Sequence, residues 1–356
     1  MEQKSVLIGM SGGVDSSVAA ALLKEQGYHV IGATMRLWTY SDSCNMKHEG
    51  CCAESAVEDA RRVCDKLGID FYVMNFKDMF KDKVVDYFVD EYIHGRTPNP
   101  CIACNKYLKF DALLKKALAM GIDYVATGHY AKIEKGEDGK YILRASEAVK
   151  KDQSYVLYNF TQEQLAHTLM PLGGYNKDWV RQKAEELGLG VAHKPDSQEI
   201  CFVEDDDYAK FITDYSGYKP KEGDILDVNG NVIGKHRGLI YYTIGQRKGI
   251  GAYGRPMFVM KIDAENNTIT LGEKGMEFSN ELTAYDVNFV SGEFPKENML
   301  ITAKVRYQAP PAAAMLCPQK DGTVKLMFPE PQRAVTPGQA VVFYDGDIAL
   351  GGGTVL

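Results

Sequence analysis

The sequence predicts an α/β domain with a parallel sheet, then a small mixed α/β domain, then a C-terminal β-barrel or sandwich. Up to about residue 200, short apolar runs alternate with helical patterns. Beyond Asp205, hairpin turns and strictly alternating apolar residues replace them. A chain of 356 residues is long enough for two or three domains. We therefore expect domains at residues 1–205, 206–280 and 281–356.

The first domain is predicted from its alternating elements. The expected strands are residues 6–9, 30–35, 71–75 and 124–127. The expected helices are residues 16–26, 53–67, 78–93, 106–120, 161–169 and 176–188. Strands that alternate with helices favour a Rossmann-like parallel sheet with helices on both faces.

The pattern of the last 150 residues or so predicts mostly β structure. Asn229-Gly230, Asn266-Asn267 and Asp345-Gly346 are hairpin turn signals. Apolar residues alternate through 301–307, which is typical of a strand with one buried face.

The composition, 45% apolar and 25% charged, excludes a disordered chain. The N-terminal apolar run is too short for a secretory signal, and no stretch approaches 18 uncharged apolar residues, so we expect a cytoplasmic protein without a membrane partner. In a reducing compartment its eight cysteines should be buried, metal-binding or catalytic rather than bridged.

The net charge of −7 does not by itself indicate a nucleic-acid-binding protein. Residues 228–262, however, contain six Lys and Arg and no acidic residue. This segment could contact phosphates, or it could be the solvated face of a hairpin, and its charge alone does not separate the two.

A phosphate-binding loop is predicted where the strand SVLIGM runs into SGGVDSS and a helix. Gly12 and Gly13 allow backbone N–H groups to turn towards an anion, and the helix start adds its positive dipole. The loop lacks the Lys of a Walker motif. It resembles the loop of the PP-loop ATP pyrophosphatase superfamily, whose members cleave ATP between the α and β phosphates. In such a loop Asp15 would help to place Mg²⁺ and pyrophosphate.

The cysteines differ in context. Cys64 lies on the apolar face of a predicted helix and Cys317 in a β region, so both should be structural. A cluster between residues 44 and 52 has no standard zinc spacing and stays unassigned. It comprises Cys44, His48, Cys51 and Cys52.

Cys101 and Cys104 stand as CxxC before a helical pattern. Asn105 is expected to cap that helix, which would put Cys104 at a helix N-terminus and lower the pKa of its thiol. No second CxxC completes a zinc site. Cys201 could pair transiently with Cys104, and two redox-coupled thiols beside an adenylating loop suggest sulfur transfer.

Eight stretches spread over the whole chain form a recognisable set: GMSGGVDSS (9–17), GRTPNPCIACNKYLKF (95–110), ATGHYA (126–131), KDQSYVLY (151–158), DSQEICFV (196–203), GLIYYTIGQRKG (238–249), KVRYQAP (304–310) and TPGQAVVFYDGD (336–347). In these stretches and their order the chain resembles the bacterial tRNA-specific 2-thiouridylase family. The resemblance implies a PP-loop domain, a small central domain and a C-terminal β-barrel. It implies 2-thiolation of the wobble uridine of tRNA, with ATP, Mg²⁺ and an upstream persulfide donor.

The resemblance also implies roles for individual residues. ATP would be bound by Gly9, Met10, Ser11, Gly12, Gly13, Val14, Asp15, Ser16, Met35 and Gly128. The tRNA would be contacted by Asn99, Pro100, Cys101, His129, Lys151, Asp152, Gln153, Arg306, Tyr307 and Gln339, the first three facing the target base. Cys104 matches the nucleophile and Cys201 the persulfide carrier.

Position 101 departs from the family, because many relatives have Asp where this chain has Cys101. The acid–base role of that Asp is therefore in doubt here. Cys101 could be a second thiolate, or it could join Cys104 and Cys201 as a ligand of an iron–sulfur cluster. Two other functions fit parts of the sequence: a PP-loop amidoligase or lysidine-forming enzyme, which needs no cysteine, and a non-catalytic RNA-binding protein.

Overall fold

The computed structural model describes residues 3–38, 54–196, 200–203 and 206–356. The cysteine and histidine cluster at 44–52 lies outside these residues. No helix in the described part of the chain is both long and apolar enough to cross a bilayer.

The first domain is built on a parallel sheet, as predicted. Its first four strands are β1 (Ser5–Gly9), β2 (His29–Arg36), β3 (Asp70–Asn75) and β4 (Tyr124–Ala126). The chain then leaves this sheet for a hairpin of β5 (Ala131–Lys135) and β6 (Tyr141–Ala145), and returns to it with β7 (Thr168–Leu169). The strand order is β3-β2-β1-β4-β7, with every neighbouring pair parallel. The short strand β7 falls inside the predicted helix 161–169, which ends at Ala166.

The helices of this domain lie close to their predicted positions, apart from the ends. They are α1 (Val14–Glu25), α2 (Glu54–Leu67), α3 (Lys77–Phe80), α4 (Tyr87–Ile93), α5 (Pro100–Ala103), α6 (Leu113–Ala119), α7 (Gln162–Ala166) and α8 (Lys177–Glu186). π-Helical turns at Lys81–Asp86 and Cys104–Ala112 join α3 to α4 and α5 to α6.

The predicted start of the helix after the CxxC segment is wrong. The helical run begins at Pro100, and Asn99 is its cap, with Oδ1 accepting from the backbone N–H of Cys101 at 3.1 Å and of Ile102 at 3.4 Å. Asn105 lies inside the run, where its side chain donates to the Val156 carbonyl. Pro100 fits the first helical position because it has no N–H to leave unbonded. Cys101 therefore lies in the first turn, and Cys104 lies a full turn further on.

The middle of the chain forms a small α/β unit. Helix α9 (Tyr208–Ser216) precedes a sheet of β8 (Gly223–Leu226), β9 (Val232–His236), β10 (Met257–Asp263) and β11 (Thr268–Glu273), in the order β10-β11-β8-β9. The predicted turns at 229–230 and 266–267 join β8 to β9 and β10 to β11 as antiparallel hairpins.

The C-terminal strands close into a barrel, which is the barrel alternative of the prediction. They are β12 (Phe278–Phe289), β13 (Met299–Lys304), β14 (Ala312–Pro318), β15 (Val324–Arg333), β16 (Ala340–Asp345) and β17 (Ile348–Val355). The order β12-β15-β14-β13-β16-β17 is closed by pairing of β17 with β12. Ile301 and Ala303 are buried in the barrel core, as their alternation predicts.

The β5–β6 hairpin joins the α/β domain to the barrel, since β6 extends the barrel sheet beside β17. A shared apolar core reinforces this connection. Tyr155 and Leu157 of the first domain pack in one buried cluster with Ala340 and Val342 of β16. The barrel is thereby held against the segment that follows β6.

Candidate active site

The phosphate loop follows β1 and leads into α1. Gly12 has φ +70°, and a Cβ there would collide with the carbonyl oxygen of Ala56, so only glycine fits. Ser17 Oγ donates to the Gly13 carbonyl at 2.8 Å and Ser16 Oγ donates to it at 3.2 Å. The N-cap of α1 is Gly13, which has no side chain to accept from the first N–H groups of the helix. Such a helix start favours anions.

A nucleotide-sized hollow of about 210 Å³ lies where the strands β1, β2 and β4 end. Gly9, Met35 and Gly128 lie at or just after those strand ends and line it. Ligands of open α/β sheets bind at this edge. Below we call it the nucleotide cavity. Of the ten residues predicted to bind ATP it contains seven, namely Gly9, Met10, Ser11, Asp15, Ser16, Met35 and Gly128.

A second cavity of about 380 Å³ adjoins the first, and we call it the thiol cavity. It is lined by Cys101, Cys104 and Cys201, by Lys194, and by the loop residues 11–15. The thiol cavity also contains the three predicted ATP-binding residues that do not line the nucleotide cavity, namely Gly12, Gly13 and Val14. The structure therefore brings the predicted nucleotide loop and all three candidate thiols together around adjoining space.

The thiols lie in different environments. Cys104 is 8% exposed, Cys201 is partly buried and Cys101 is exposed to the cavity. The surrounding protein raises the pKa of the Cys101 thiol by desolvation, and the positive charge of Lys109 acts in the opposite direction. Cys64 and Cys317 are buried away from both cavities, as predicted, and burial raises the pKa of Cys64 to about 12.

Asp15 is held in a network of ion pairs that the sequence did not indicate. Its carboxylate accepts from Tyr130 Oη at 2.7 Å and from Lys177 Nζ at 2.8 Å. Lys177 Nζ also lies 2.6 Å from Asp196 Oδ1, and Lys151 Nζ is 2.7 Å from the other oxygen of Asp196. Partial burial opposes ionisation of Asp196, but its hydrogen bonds with Lys151 and Lys177 lower its pKa below the usual value.

This network connects the phosphate loop with the segment that leads to Cys201. Tyr130 and Asp196 lie inside two of the family-like stretches, so a signal for them was present in the sequence. No sequence signal pointed to Lys177, because it lies on α8, far along the chain from Asp15. Only the packing of α8 beside α1 brings it there.

The residues predicted to contact tRNA are distributed over both domains. Pro100, Cys101, Lys151 and Gln153 line the thiol cavity, and His129 and Gln153 line the nucleotide cavity. Asn99 lines a third cavity of about 310 Å³. From the barrel side, Tyr307 Oη donates to the Asp152 carbonyl at 3.2 Å, and Gln339 Nε2 donates to the Thr97 carbonyl at 2.8 Å. Arg306 points elsewhere and donates to the Arg333 carbonyl at 3.4 Å.

Desolvation first and the charge of Lys109 second lower the pKa of His129 well below its usual value. Its Nδ1 is 2.7 Å from Thr127 Oγ1. Asp152 has a local structural role, because its carboxylate accepts from Ser146 N–H and from the Ser154 hydroxyl.

In the folded protein, three of the six cations in the acid-free segment 228–262 are neutralised by ion pairs. Lys235, Arg255 and Lys261 pair with acidic residues just outside the segment, Asp224, Glu273 and Asp263. Arg237 stacks over Tyr241 at 4.0 Å. Within the part of the chain that the structure describes, Arg247 and Lys248 are exposed and make no ion pair.

A parallel sheet with a glycine loop between its first strand and first helix defines a nucleotide-binding domain of the PP-loop class. Three family models match in the same order: the tRNA methyl transferase HUP domain over residues 4–205, the tRNA methyl transferase PRC-barrel domain over 209–273, and the aminomethyltransferase beta-barrel domain over 279–355.

Relatives match along the full length. The tRNA-specific 2-thiouridylase MnmA of Acetivibrio thermocellus is 59% identical over 358 residues, which is 100% of both chains. That of Clostridioides difficile is 58% identical over 99% of this chain and 98% of its own. A solved 4-thiouridine synthetase–RNA complex with bound ATP aligns with 56% of this chain and 45% of its own, at 19% identity and a TM-score of 0.36. The chain belongs to the tRNA-specific 2-thiouridylase family, which makes it an enzyme of the sulfurtransferase class.

Proposed function

We propose that this enzyme converts the wobble uridine of tRNA to 2-thiouridine, with ATP to activate the base and a persulfide on Cys201 as the sulfur source. The observation that carries the proposal is the thiol cavity, which is lined both by the phosphate loop and by Cys101, Cys104 and Cys201. Activation and sulfur delivery need such proximity, since both act on one carbon atom.

The first step makes a leaving group. Uracil O2 attacks the α-phosphorus of ATP, the bond to the β-phosphate breaks, and pyrophosphate leaves with its electron pair. The base loses its N3 proton to solvent and becomes an O2-adenylate. The loop residues Ser11, Gly12 and Gly13 and the start of α1 would hold the pyrophosphate.

The second step replaces oxygen by sulfur. The terminal sulfur of the Cys201 persulfide attacks C2, and AMP departs with the oxygen and its electron pair. The Cys104 thiolate then attacks Cys201 Sγ, the persulfide S–S bond breaks, and the sulfur stays on C2 while N3 regains a proton. A Cys104–Cys201 disulfide results, which a dithiol reductant must reduce before the next cycle. The persulfide is reloaded by an upstream donor.

Mg²⁺ is commonly held by one or two carboxylates together with substrate phosphates. At the loop Asp15 is the carboxylate that would hold it, and in this structure Asp15 is paired with Lys177. The ion would neutralise pyrophosphate charge. The described residues include no group of three His, Cys, Asp or Glu placed to hold a single metal ion, and the steps above use no iron–sulfur cluster. Cys101 would act as a free thiol beside the target base.

The tRNA would approach across the junction of the α/β domain and the barrel. Asn99, Pro100 and Cys101 would contact the splayed base at the start of the helical run, where Asn99 fixes the backbone. Tyr307 and Gln339 would extend this surface from the barrel. Because the wobble base lies in a single-stranded loop, splaying it costs only a few kcal/mol.

The proposal is tested by replacing each working thiol. Cys104→Ser and Cys201→Ser should each abolish formation of 2-thiouridine, measured by mass spectrometry of tRNA nucleosides, while tRNA-dependent release of pyrophosphate continues. Cys317→Ser, in the barrel, is the matched control and should keep both activities. Formation of 2-thiouridine by either active-site variant would contradict the persulfide mechanism, and a wild-type enzyme without tRNA-dependent pyrophosphate release would contradict the adenylation.

A further inference from the structure

Lys109 is a cation on the boundary between the two cavities. The residues that line both the nucleotide cavity and the thiol cavity are Ser11, Asp15, Leu37, Lys109 and Gln153. Among these described lining residues Lys109 alone carries a positive charge. Asp15 is the only acidic one, and Lys177 already neutralises it.

The other cations of the thiol cavity are already paired. Lys151 Nζ lies 2.7 Å from Asp196, and Lys194 Nζ lies 2.8 Å from Asp59 and 3.1 Å from the Gly12 carbonyl. Lys109 makes no ion pair, hydrogen bond or cation–π contact with any residue that the structure describes. Lys109 is partly exposed and lines both cavities, so its unpaired cation is placed to meet an anionic ligand there.

The helix geometry explains why Lys109 reaches this place. It lies in the π-helical stretch Cys104–Ala112, where each turn closes on the fifth residue and not the fourth. Lys109 is five residues after Cys104, and both side chains line the thiol cavity. Its charge also acts on groups in both cavities. It partly offsets the desolvation that raises the pKa of Cys101, and it adds to the desolvation that lowers the pKa of His129.

We propose that Lys109 binds a non-bridging oxygen of the ATP α-phosphate and stabilises the charge that develops there during adenylation of the base. This inference rests on the proposed function and adds a catalytic residue to it. In the proposed reaction the adenosine end of ATP occupies the nucleotide cavity, and the target uracil and the thiols occupy the thiol cavity. The α-phosphate, which the uracil attacks, must therefore lie on the boundary between the two cavities. As O2 attacks and pyrophosphate leaves, negative charge collects on the non-bridging oxygens, where a fixed cation in a partly dry site is most effective. The same contact remains on AMP when sulfur displaces it.

Three variants test the proposal. Lys109→Met removes the charge and keeps the length, Lys109→Arg keeps a charge, and Lys115→Met removes an exposed charge from the same helical run. We expect Lys109→Met to slow tRNA-dependent pyrophosphate release by about 10²–10³-fold, as for loss of one oxyanion-stabilising group. The effect should fall on kcat more than on the KM for ATP, because the charge grows in the transition state. Lys109→Arg should recover part of the rate, and Lys115→Met should match the wild type.

A phosphorothioate readout separates contact from a structural effect. With sulfur in place of one α-phosphate oxygen of ATP, the wild type should use one diastereomer about tenfold more slowly, the equivalent of one weakened charge-assisted hydrogen bond. Lys109→Met should lose this discrimination, and Lys115→Met should keep it. A Lys109→Met enzyme that retains the wild-type discrimination would overturn the inference.

Other outcomes are equally decisive. Normal pyrophosphate release by Lys109→Met together with lost thiolation would mean that Lys109 serves the thiols, which overturns the α-phosphate contact but leaves the proposed function intact. A wild type that releases no pyrophosphate with tRNA defeats the proposed function itself. If Lys109→Met fails to fold, the wild-type enzyme alone still decides, because equal rates with both diastereomers refute the contact.

Discussion

Gly128 provides the sharpest test of how the second loop supports the phosphate loop. A Cβ at this position would lie 2.7 Å from the backbone nitrogen of Ser16, 2.8 Å from the carbonyl carbon of Asp15 and 3.0 Å from the Asp15 Cβ. Two of these atoms belong to the backbone of α1, so no side-chain rotation relieves the collision. Normal contact would require the loop and the start of α1 to separate by about 0.7 Å or more.

Gly128→Ala should therefore damage catalysis more than stability. Overpacking of this kind costs about 1–3 kcal/mol, which for a unit of roughly 200 residues lowers the first thermal transition by about 2–4 °C per kcal/mol. A displacement of Asp15 approaching 1 Å should reduce tRNA-dependent pyrophosphate release by about 10²-fold. Differential scanning calorimetry and a pyrophosphate assay measure the two effects.

Gly174→Ala is the control, because no atom of the described residues lies within 4 Å of a Cβ at that position. It should leave both measurements at the wild-type level. If Gly128→Ala behaves like Gly174→Ala, the two loops do not pack as closely as described, and the dependence of Asp15 on that contact is refuted.

Three further predictions concern charge. Tyr130→Phe removes the 2.7 Å hydrogen bond to the Asp15 carboxylate, which is worth about 1.5–3 kcal/mol because the acceptor is charged. The variant should release pyrophosphate about tenfold more slowly or slower still, and an unchanged rate contradicts the role of this bond. The pKa of Asp196 is lowered in the fold, so its stabilisation is present above the unfolded pKa near 4 and is lost as pH falls through the lower folded value. The free energy of unfolding in urea should therefore differ between Asp196→Asn and wild type at pH 7, and the difference should shrink as pH falls below about 4. A difference that does not change with pH is the contrary result. Replacing Arg247 and Lys248 by Gln should weaken tRNA binding and reduce the slope of log K against log salt concentration by about two. Lys235→Gln is the control and should change that slope little, because Lys235 is paired with Asp224. Equal slopes for the wild type and both variants contradict a phosphate-contacting surface.

Much of the fold was predictable because its signals are local. The first four strands of the parallel sheet start within one residue of their predicted positions, because an apolar run between two helical patterns is a signal contained in a few neighbouring residues. The β5–β6 hairpin was missed although its Asp138-Gly139 turn is a local signal. Its place beside β17, some 200 residues away in the chain, is set only by packing. The start of the helix at Pro100 was misjudged because two Asn residues, Asn99 and Asn105, could each cap it. Only packing of Asn105 against the Val156 carbonyl decides between them.

The sequence by itself determined the class of domain, the phosphate loop and the identity of the candidate thiols, because each depends on residues within a short stretch. The tertiary structure alone decided that Cys201 shares a cavity with Cys104, that Lys177 bridges Asp15 and Asp196, and that Lys109 has no counter-ion among the described residues. Each of these findings depends on how close segments that are far apart in the chain come to one another. They are set by the packing of helices, sheet and barrel, and no local pattern of residues encodes them.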